Sequence, residues 1–294
     1  MQKLTACPVC HTTNLAPFLS CNDYTVSHET FHLQRCLSCG FVMTNPRPGP
    51  DQLPAYYQSE AYISHSNKST NLVDVIYKAA RTFTLKWKIR LLEKYSLKPP
   101  TSVLDFGCGT GDFLQLCAEN GLAIEGIEPS PLARNEATHK TGREIKSSIN
   151  EISTQSDALT LWHVLEHVTD LNETLEKLRD SLTKNGTMFI AVPNLNSADA
   201  EHYREHWAAY DVPRHLWHFS QNSMEKLLAH HDLKLTTTVP MRLDAYYVSM
   251  LSEKYRFGKN TIPTLVKAIS QGWKSNQRAQ KTREYSSLIY IVRK

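Results

Sequence analysis

The chain has 294 residues, 41% hydrophobic and 21% charged, with a formal net charge of +4. That composition excludes a disordered tail and supports a buried core, and so small a charge gives no case for a nucleic-acid partner. No apolar run nears the roughly 18 residues needed to span a bilayer.

Met1–Cys10 carries one lysine and lacks the apolar stretch of a secretory signal. Seven cysteines, an odd number without an export signal, fit a reducing, cytoplasmic setting better than a disulfide framework. Five of them fall within residues 1–45. Cys7-Pro8-Val9-Cys10 and Cys36-Leu37-Ser38-Cys39-Gly40 are two C-x-x-C turns separated by 25 residues. Thiolates two residues apart converge on one ion, and two such turns complete a tetrahedron. Cys7, Cys10, Cys36 and Cys39 are therefore expected to bind a structural Zn²⁺ in a small zinc ribbon. A segment this short needs such a staple. A redox C-x-x-C would open a helix, and none is patterned here. His11 stands where the second turn has Gly40; His11 and Cys21 are weaker ligand candidates.

Residues 46–70, with Pro46, Pro48, Gly49, Pro50 and Pro54, read as a linker. Residues 71–95 space Leu72, Val75, Ile76, Ala79, Ala80, Phe83, Trp87, Leu91 and Leu92 as one face of a helix, which Lys98-Pro99-Pro100 closes.

From residue 101 short apolar strands alternate with helical patterns, the mark of an α/β fold with a parallel sheet. Expected strands are Ser102–Phe106, Ile124–Glu128, Ala158–His163, Gly186–Val192, Leu233–Val239 and Leu288–Arg293. Helices are expected near 111–120, 130–140, 170–183 and 221–231. The zone 244–285 breaks the rhythm. Residues 253–294 hold ten Lys/Arg against two Asp/Glu, a net charge of +8. A solvated helix docked by its apolar face is expected there, with a lid or a membrane-surface helix as alternatives.

The strongest chemical signal runs from Val103 to Leu114. A strand ends in Asp105-Phe106, enters Gly107-Cys108-Gly109-Thr110-Gly111, and leads through Asp112 into a helix. A dinucleotide site would need a third glycine at position 112, where Asp stands. Two carboxylates would repel a pyrophosphate. A cationic ligand reverses that sign: Asp105 can hold an α-ammonium group. S-adenosylmethionine carries an ammonium, a sulfonium and no phosphate. Glu128, at the end of the next strand, can accept from both ribose hydroxyls.

With these motifs the sequence resembles the class I S-adenosylmethionine-dependent methyltransferases. Asp105 to Gly111 is similar to their first motif, Gly126 to Ser130 to their second, Leu161 to Val168 to their fourth-strand motif, and Gly186 to Asn194 to their fifth strand. The resemblance implies a Rossmann-like seven-stranded sheet, last strand antiparallel, over 71–294 with an insertion at about 244–285. It gathers Phe106, Gly107, Cys108, Gly109, Gly111 and Pro129 around the cofactor with Asp105 and Glu128, and sets His163 against it. An N-terminal zinc ribbon on such a domain resembles sugar C-methyltransferases acting on nucleotide-linked deoxysugars. That implies a small metabolite as substrate, a nucleotide-linked sugar or another anionic molecule. An O-methyltransferase of a quinone or lipid precursor is the alternative. Some of those enzymes hold a divalent metal with an acid at the position of His163 and a Glu-His pair matching Glu166 and His167. A nucleic-acid methyltransferase is disfavoured: residues 1–45 hold only Lys3 and Arg35 as cations, against Asp23 and Glu29.

Methyl transfer is an in-line displacement, so the protein must align the nucleophile and can remove its proton. Glu166 and His167, after strand four, are candidate catalytic groups. The segment Tyr210-Asp211-Val212-Pro213-Arg214-His215-Leu216-Trp217-His218-Phe219 is dense in His, Tyr, Trp and Arg. His215 or His218 is expected as the general base and Arg214 as an anion clamp. Tyr246 and Tyr247 are placed to close the pocket.

Overall fold

The computed structural model describes residues 1–57, 72–259 and 261–294, without the side chains of 72–83. Linker positions 58–70 and the helix-face residues Leu72, Val75, Ile76, Ala79, Ala80 and Phe83 therefore lie outside what is described.

The chain opens with an antiparallel ladder of β1 (Leu15–Asn22), β2 (Thr30–Cys36) and β3 (Val42–Thr44). A short 3₁₀ turn follows at Leu53–Tyr57 and then α1 (Leu72–Tyr95). The α/β part runs β4 (Ser102–Phe106), α2 (Asp112–Glu119), β5 (Ala123–Ile127), α3 (Pro131–Thr141), β6 (Ser156–Trp162), α4 (Leu171–Asp180) and β7 (Leu182–Pro193). It continues through α5 (Ala198–Tyr203), β8 (Trp217–His218), α6 (Gln221–His230), β9 (Lys234–Pro240), α7 (Asp244–Phe257), α8 (Ile262–Thr282) and β10 (Ser287–Arg293). The zone expected to hold one docked helix is thus a pair, split where Gly258 takes a left-handed φ of 78° and ends α7.

The large sheet has the order β5-β4-β6-β7-β10-β9, with β10 antiparallel to both neighbours. It has six strands among the described residues, not the seven expected. Beside β5, where one more strand would sit, only Lys146 forms a parallel bridge to Ile127. The stretch after α3 offers Ile145 to the core and then turns at once into a capped 3₁₀ turn at Ile149–Glu151. It is too short and polar to extend the ladder.

Leu288 to Val292 and Met188 to Val192 are wholly buried, so helices cover both faces of the central strands. α4 shows how a local pattern earns its place. Asp170 caps it by accepting from Glu173 N at 3.0 Å, and Leu171, Leu175 and Leu178 share one face against the core. The chain reverses direction across the sheet between β4 and β6. Thr160 Oγ1 on β6 donates to Asp105 Oδ1 on β4 at 2.5 Å across that switch point. Ligands of open α/β sheets bind at the carboxyl ends beside such a point.

The cysteine-bearing segment packs on this domain. β8 adds to the small sheet, pairing Trp217 with Met43 and His218 with Val42. Arg214, 1% exposed, fastens the same join. It donates to Asp211 (3.0 and 2.7 Å), to Asp23 Oδ1 (2.9 Å) and to the Tyr56 carbonyl (2.9 Å). Burial opposes the guanidinium charge, but the two carboxylates override it and hold the group protonated. Removing one member of a buried ion network strands the others. Arg214→Leu is expected to lower unfolding stability by about 3–5 kcal/mol in urea titrations; a change of about 0.5 kcal/mol, typical of surface positions, contradicts this.

Candidate active site

The glycine loop crosses from β4 toward β5, and the N–H groups of Gly107 and Cys108 both donate to the Ile127 carbonyl at 2.8 and 3.0 Å. Gly111 has φ 80°, and a Cβ there would meet the Ala137 backbone of α3 at 2.9 Å. Gly109 has φ 55°, but nothing stands within 4 Å of its Cβ direction. One glycine is required by packing, while the other faces open space where a ligand can approach the backbone. Glu128 is poised beside it, Oε2 accepting from Gly109 N and Oε1 from Ser130 N, both at 2.9 Å. Phe106 is half-buried, Cys108 buried and Pro129 exposed along the same rim.

Asp105 is buried below the loop. Burial raises its carboxyl to about 6, opposed by the Thr160 hydrogen bond and the Lys88 charge and assisted by Glu128. The Lys88 ammonium lies 4.3 Å from the Trp162 ring centroid. The pocket wall thus already pairs a cation with an aromatic face.

Beyond β6 the chain enters a second cluster. His163, at φ 59°, sets Nδ1 3.3 Å from Glu166 Oε1 and Nε2 3.1 Å from Asp244 Oδ2 at the start of α7. Burial disfavours its charge, but bonds to Asp244 and Glu166 push it up to about 10. Glu166 Oε2 is buried with no hydrogen-bond partner among the described residues. The side chains of Glu166, His167 and His215 bring one ligand atom each within 4.8 Å of one another. It is therefore His215, from the distant loop, and not His163 that completes a three-donor set with the Glu-His pair. His167 Nδ1 lies 3.0 Å from the Tyr57 hydroxyl and 3.2 Å from the Arg214 carbonyl. Burial, then the neighbouring His215 charge, pushes His167 down to about 4. His215 Nδ1 donates to the Ala209 carbonyl at 2.8 Å.

Two expected roles meet obstacles. Arg214 is buried and spends four guanidinium hydrogen bonds on Asp23, Asp211 and Tyr56, so its charge is satisfied inside the protein. His218 donates Nε2–H to Thr44 Oγ1 at 3.0 Å, since that hydroxyl gives its own proton to the His215 carbonyl. Burial first, then the His215 charge, pushes His218 down to about 3, so it stays neutral inside the small sheet. Tyr57, Thr160, Asp211 and Asp244 join these clusters through tertiary packing. Only Asp211, three residues before an arginine, carried a local signal.

The four cysteines do converge. Cys7 and Cys39 Sγ are 3.5 Å apart, as are Cys10 and Cys36 Sγ, and all four lie within 4.8 Å. The N–H groups of His11 and Gly40 donate to the carbonyls of Cys7 and Cys36 at 2.9 Å, closing matching knuckles. His11 takes the left-handed φ of 58° that its position shares with Gly40, at 82°. These spacings fit a tetrahedral ion with metal–sulfur bonds of about 2.3 Å. With four thiolates the ion has no open position and would act structurally.

The methyltransferase-domain family matches residues 77–238. The chain belongs to this family. This methyltransferase is similar in fold to magnesium protoporphyrin IX methyltransferase of Synechocystis PCC 6803, solved with bound SAH. The identity is 13%, over 81% of this chain and 97% of that one, with a TM-score of 0.51. A mycolic acid cyclopropane synthase, with SAH and CTAB, aligns at 14% identity over 71% and 84% of the two chains, TM-score 0.49. An O-methyltransferase of a trans-AT polyketide multienzyme from Brevibacillus brevis, with S-adenosyl-L-homocysteine, aligns at 15% over 75% of each chain, TM-score 0.49. No curated protein matches the chain.

For the methyltransferase's cysteine cluster, elemental analysis of purified protein is expected to find one zinc per chain. Cys36→Ser should lose the metal and unfold at lower urea; full metal content in that variant contradicts the assignment.

Proposed function

We propose that this methyltransferase takes its methyl group from S-adenosylmethionine and gives it to a small polar metabolite, with a nucleotide-linked sugar as the favoured acceptor class. The observation that carries the reading is the pairing of two sites at adjoining strand ends. Acids Asp105 and Glu128 flank an open glycine loop at β4 and β5, and a carboxylate–imidazole cluster follows β6.

S-adenosylmethionine supplies an electrophilic methyl on sulfur. Asp105 and Glu128 suit its ammonium and ribose hydroxyls, and the open side of Gly109 gives it room. Neither acid suits a diphosphate. The sugar assignment draws on the cysteine module's likeness to sugar C-methyltransferases and no longer on Arg214. Residues 1–45 are read as a zinc ribbon that helps shape the acceptor side, and 71–294 as the transfer domain.

His215 is the proposed proton acceptor. Its Nδ1–H is fixed on Ala209, its Nε2 is free to take a proton, and Asp211 Oδ2 stands 3.9 Å from Nε2 to steady the resulting charge. Glu166 and His167 position it, and His163 spans between Glu166 and α7. Thr44 holds its backbone carbonyl, and His218 in turn donates to Thr44. A second reading rests on the unpartnered Glu166 Oε2. Glu166, His167 and His215 would then hold a divalent cation that orders an acceptor bearing two adjacent oxygens, as a catechol-like quinone precursor does.

Two measurements test these assignments. First, Asp105 must ionise to hold an ammonium, and its carboxyl sits near 6 when the pocket is empty. Affinity for S-adenosylmethionine, read by calorimetry, should rise as pH increases from 5 to about 7 and then level. Asp105→Asn should bind weakly with no such slope, and unchanged affinity there removes the cofactor assignment. Second, His215→Asn should lower kcat by about 10²–10⁴-fold on the best acceptor from a panel of nucleotide-sugars and phenols, with cofactor affinity intact. Strict dependence of wild-type turnover on added Mg²⁺ would favour the second reading instead.

A further inference from the structure

Helix α8 divides its side chains among three faces. Thr264, Ala268, Gly272, Ser275 and Ala279 are buried. Gly272 shows how closely α7 approaches, since a Cβ there would fall 2.9 Å from Tyr246 Cα. Small residues draw the two helices together and leave the large apolar ones outside. Ile262, Val266, Ile269 and Trp273 are 80%, 61%, 60% and 55% exposed, and Leu265 borders them. At about 100° per residue this stripe centres about 120° from the buried one. Lys267, Lys274 and Lys281 recur every seven residues along its other flank, all exposed. An ordinary surface helix turns its large apolar stripe toward the core, and α8 does the reverse.

A contiguous exposed apolar stripe marks a partner. Charge decides which one. Residues 253–294 carry +8 against +4 for the whole chain, so the rest of the protein carries −4. Two copies meeting on this face would set lysine rows and excess positive charge against their own kind. An anionic bilayer instead accepts the apolar stripe at its acyl boundary. The lysine stems lie along that boundary and their ammoniums reach the headgroups. Trp273 suits the same depth, apolar in body and polar at its N–H.

We infer that α8 docks this protein on an anionic lipid surface, lying in the plane of the interface. No helix among the described residues is long and apolar enough to cross a membrane, so the contact is peripheral. The inference stands apart from methyl transfer, because vesicle binding requires neither cofactor nor acceptor. It does place the docked face on the helix pair whose first turn carries Asp244, the partner of His163.

The test is co-sedimentation of the full chain with phosphatidylcholine vesicles, with and without phosphatidylglycerol. Binding is expected only with the anionic lipid and should weaken with salt. Each lysine reversed should cost at least about fivefold, so Lys267→Glu with Lys274→Glu should lose about 25-fold or more. Ile269→Gln with Trp273→Gln, which leaves the charge unchanged, should abolish binding through the apolar term alone. All four side chains are solvent-exposed, and an unchanged urea midpoint checks that both variants fold. Equal binding to neutral vesicles, or none to anionic ones, overturns the inference. So does a concentration-dependent dimer in sedimentation velocity that Ile269→Glu dissolves, which would give the face to a second copy.

Discussion

One buried guanidinium organises the join between the cysteine module and the α/β domain. Arg214 reaches three separate stretches of chain: Asp23 at the end of β1, the Tyr56 carbonyl in the 3₁₀ turn, and Asp211 in its own loop. Asp23 is itself cradled, accepting from the N–H and hydroxyl of both Thr25 and Ser27 and from the Val26 N–H. Burial alone would raise that carboxyl, yet Arg214 and these donors hold it well below the usual carboxylate range. A charge so enclosed tolerates little displacement of its partners. Tyr57 and His215 are the immediate neighbours of Tyr56 and Arg214 in sequence, and both face His167. The fastening that joins the cysteine module to the α/β domain therefore also sets where His215 stands.

The glycine loop works by a different economy. There the decisive group is a carboxylate kept poorly solvated. Asp105 loses water to burial, which the Thr160 hydroxyl and the Lys88 charge only partly offset, so its carboxyl rises to about 6. Its ionised form is left wanting a positive partner. The sign follows directly: with a folded value above the ordinary one, ionisation costs folding stability as pH rises through that range. A bound cation removes the cost. The join differs, since Arg214 is satisfied from within. The glycine loop stores a demand for positive charge, and the Arg214 join stores geometry.

These two designs left unequal traces in the sequence. A strand of buried residues, an acid, closely spaced glycines and a second acid are local, and their meaning survives without coordinates. So does a pair of C-x-x-C turns, down to the left-handed residue after each. Strand positions in the large sheet were legible within a few residues because burial on both faces writes continuous apolar runs. The seventh strand was not: family likeness supplies it, and among the described residues Arg143 to Ser148 lack the apolar length to form it. Arg214 is a related case. An arginine in a polar loop looks available, and nothing within its neighbourhood announces Asp23, 191 positions away. Likewise His163 sat beside the Glu-His pair in sequence, while His215 reached it through tertiary packing.

The small sheet shows how the four-cysteine module is tied to the α/β domain. Its inner strand β3 is short, and alone it could order nothing. It pairs with β8, and Thr44 at its end donates to the His215 carbonyl and accepts from His218. Phe41 and Met43 share their core with Leu216, Trp217 and Phe219. Cys36 ends β2, and Cys7, Cys36 and Cys39 share that same core. An ion bound there would act on the acceptor loop through three paired strands without touching a reactant. Losing it would then disturb the position of His215 while leaving the glycine loop and its acids as they are. Acceptor chemistry and donor binding would part company, which a structural metal in an independent appendage could not bring about.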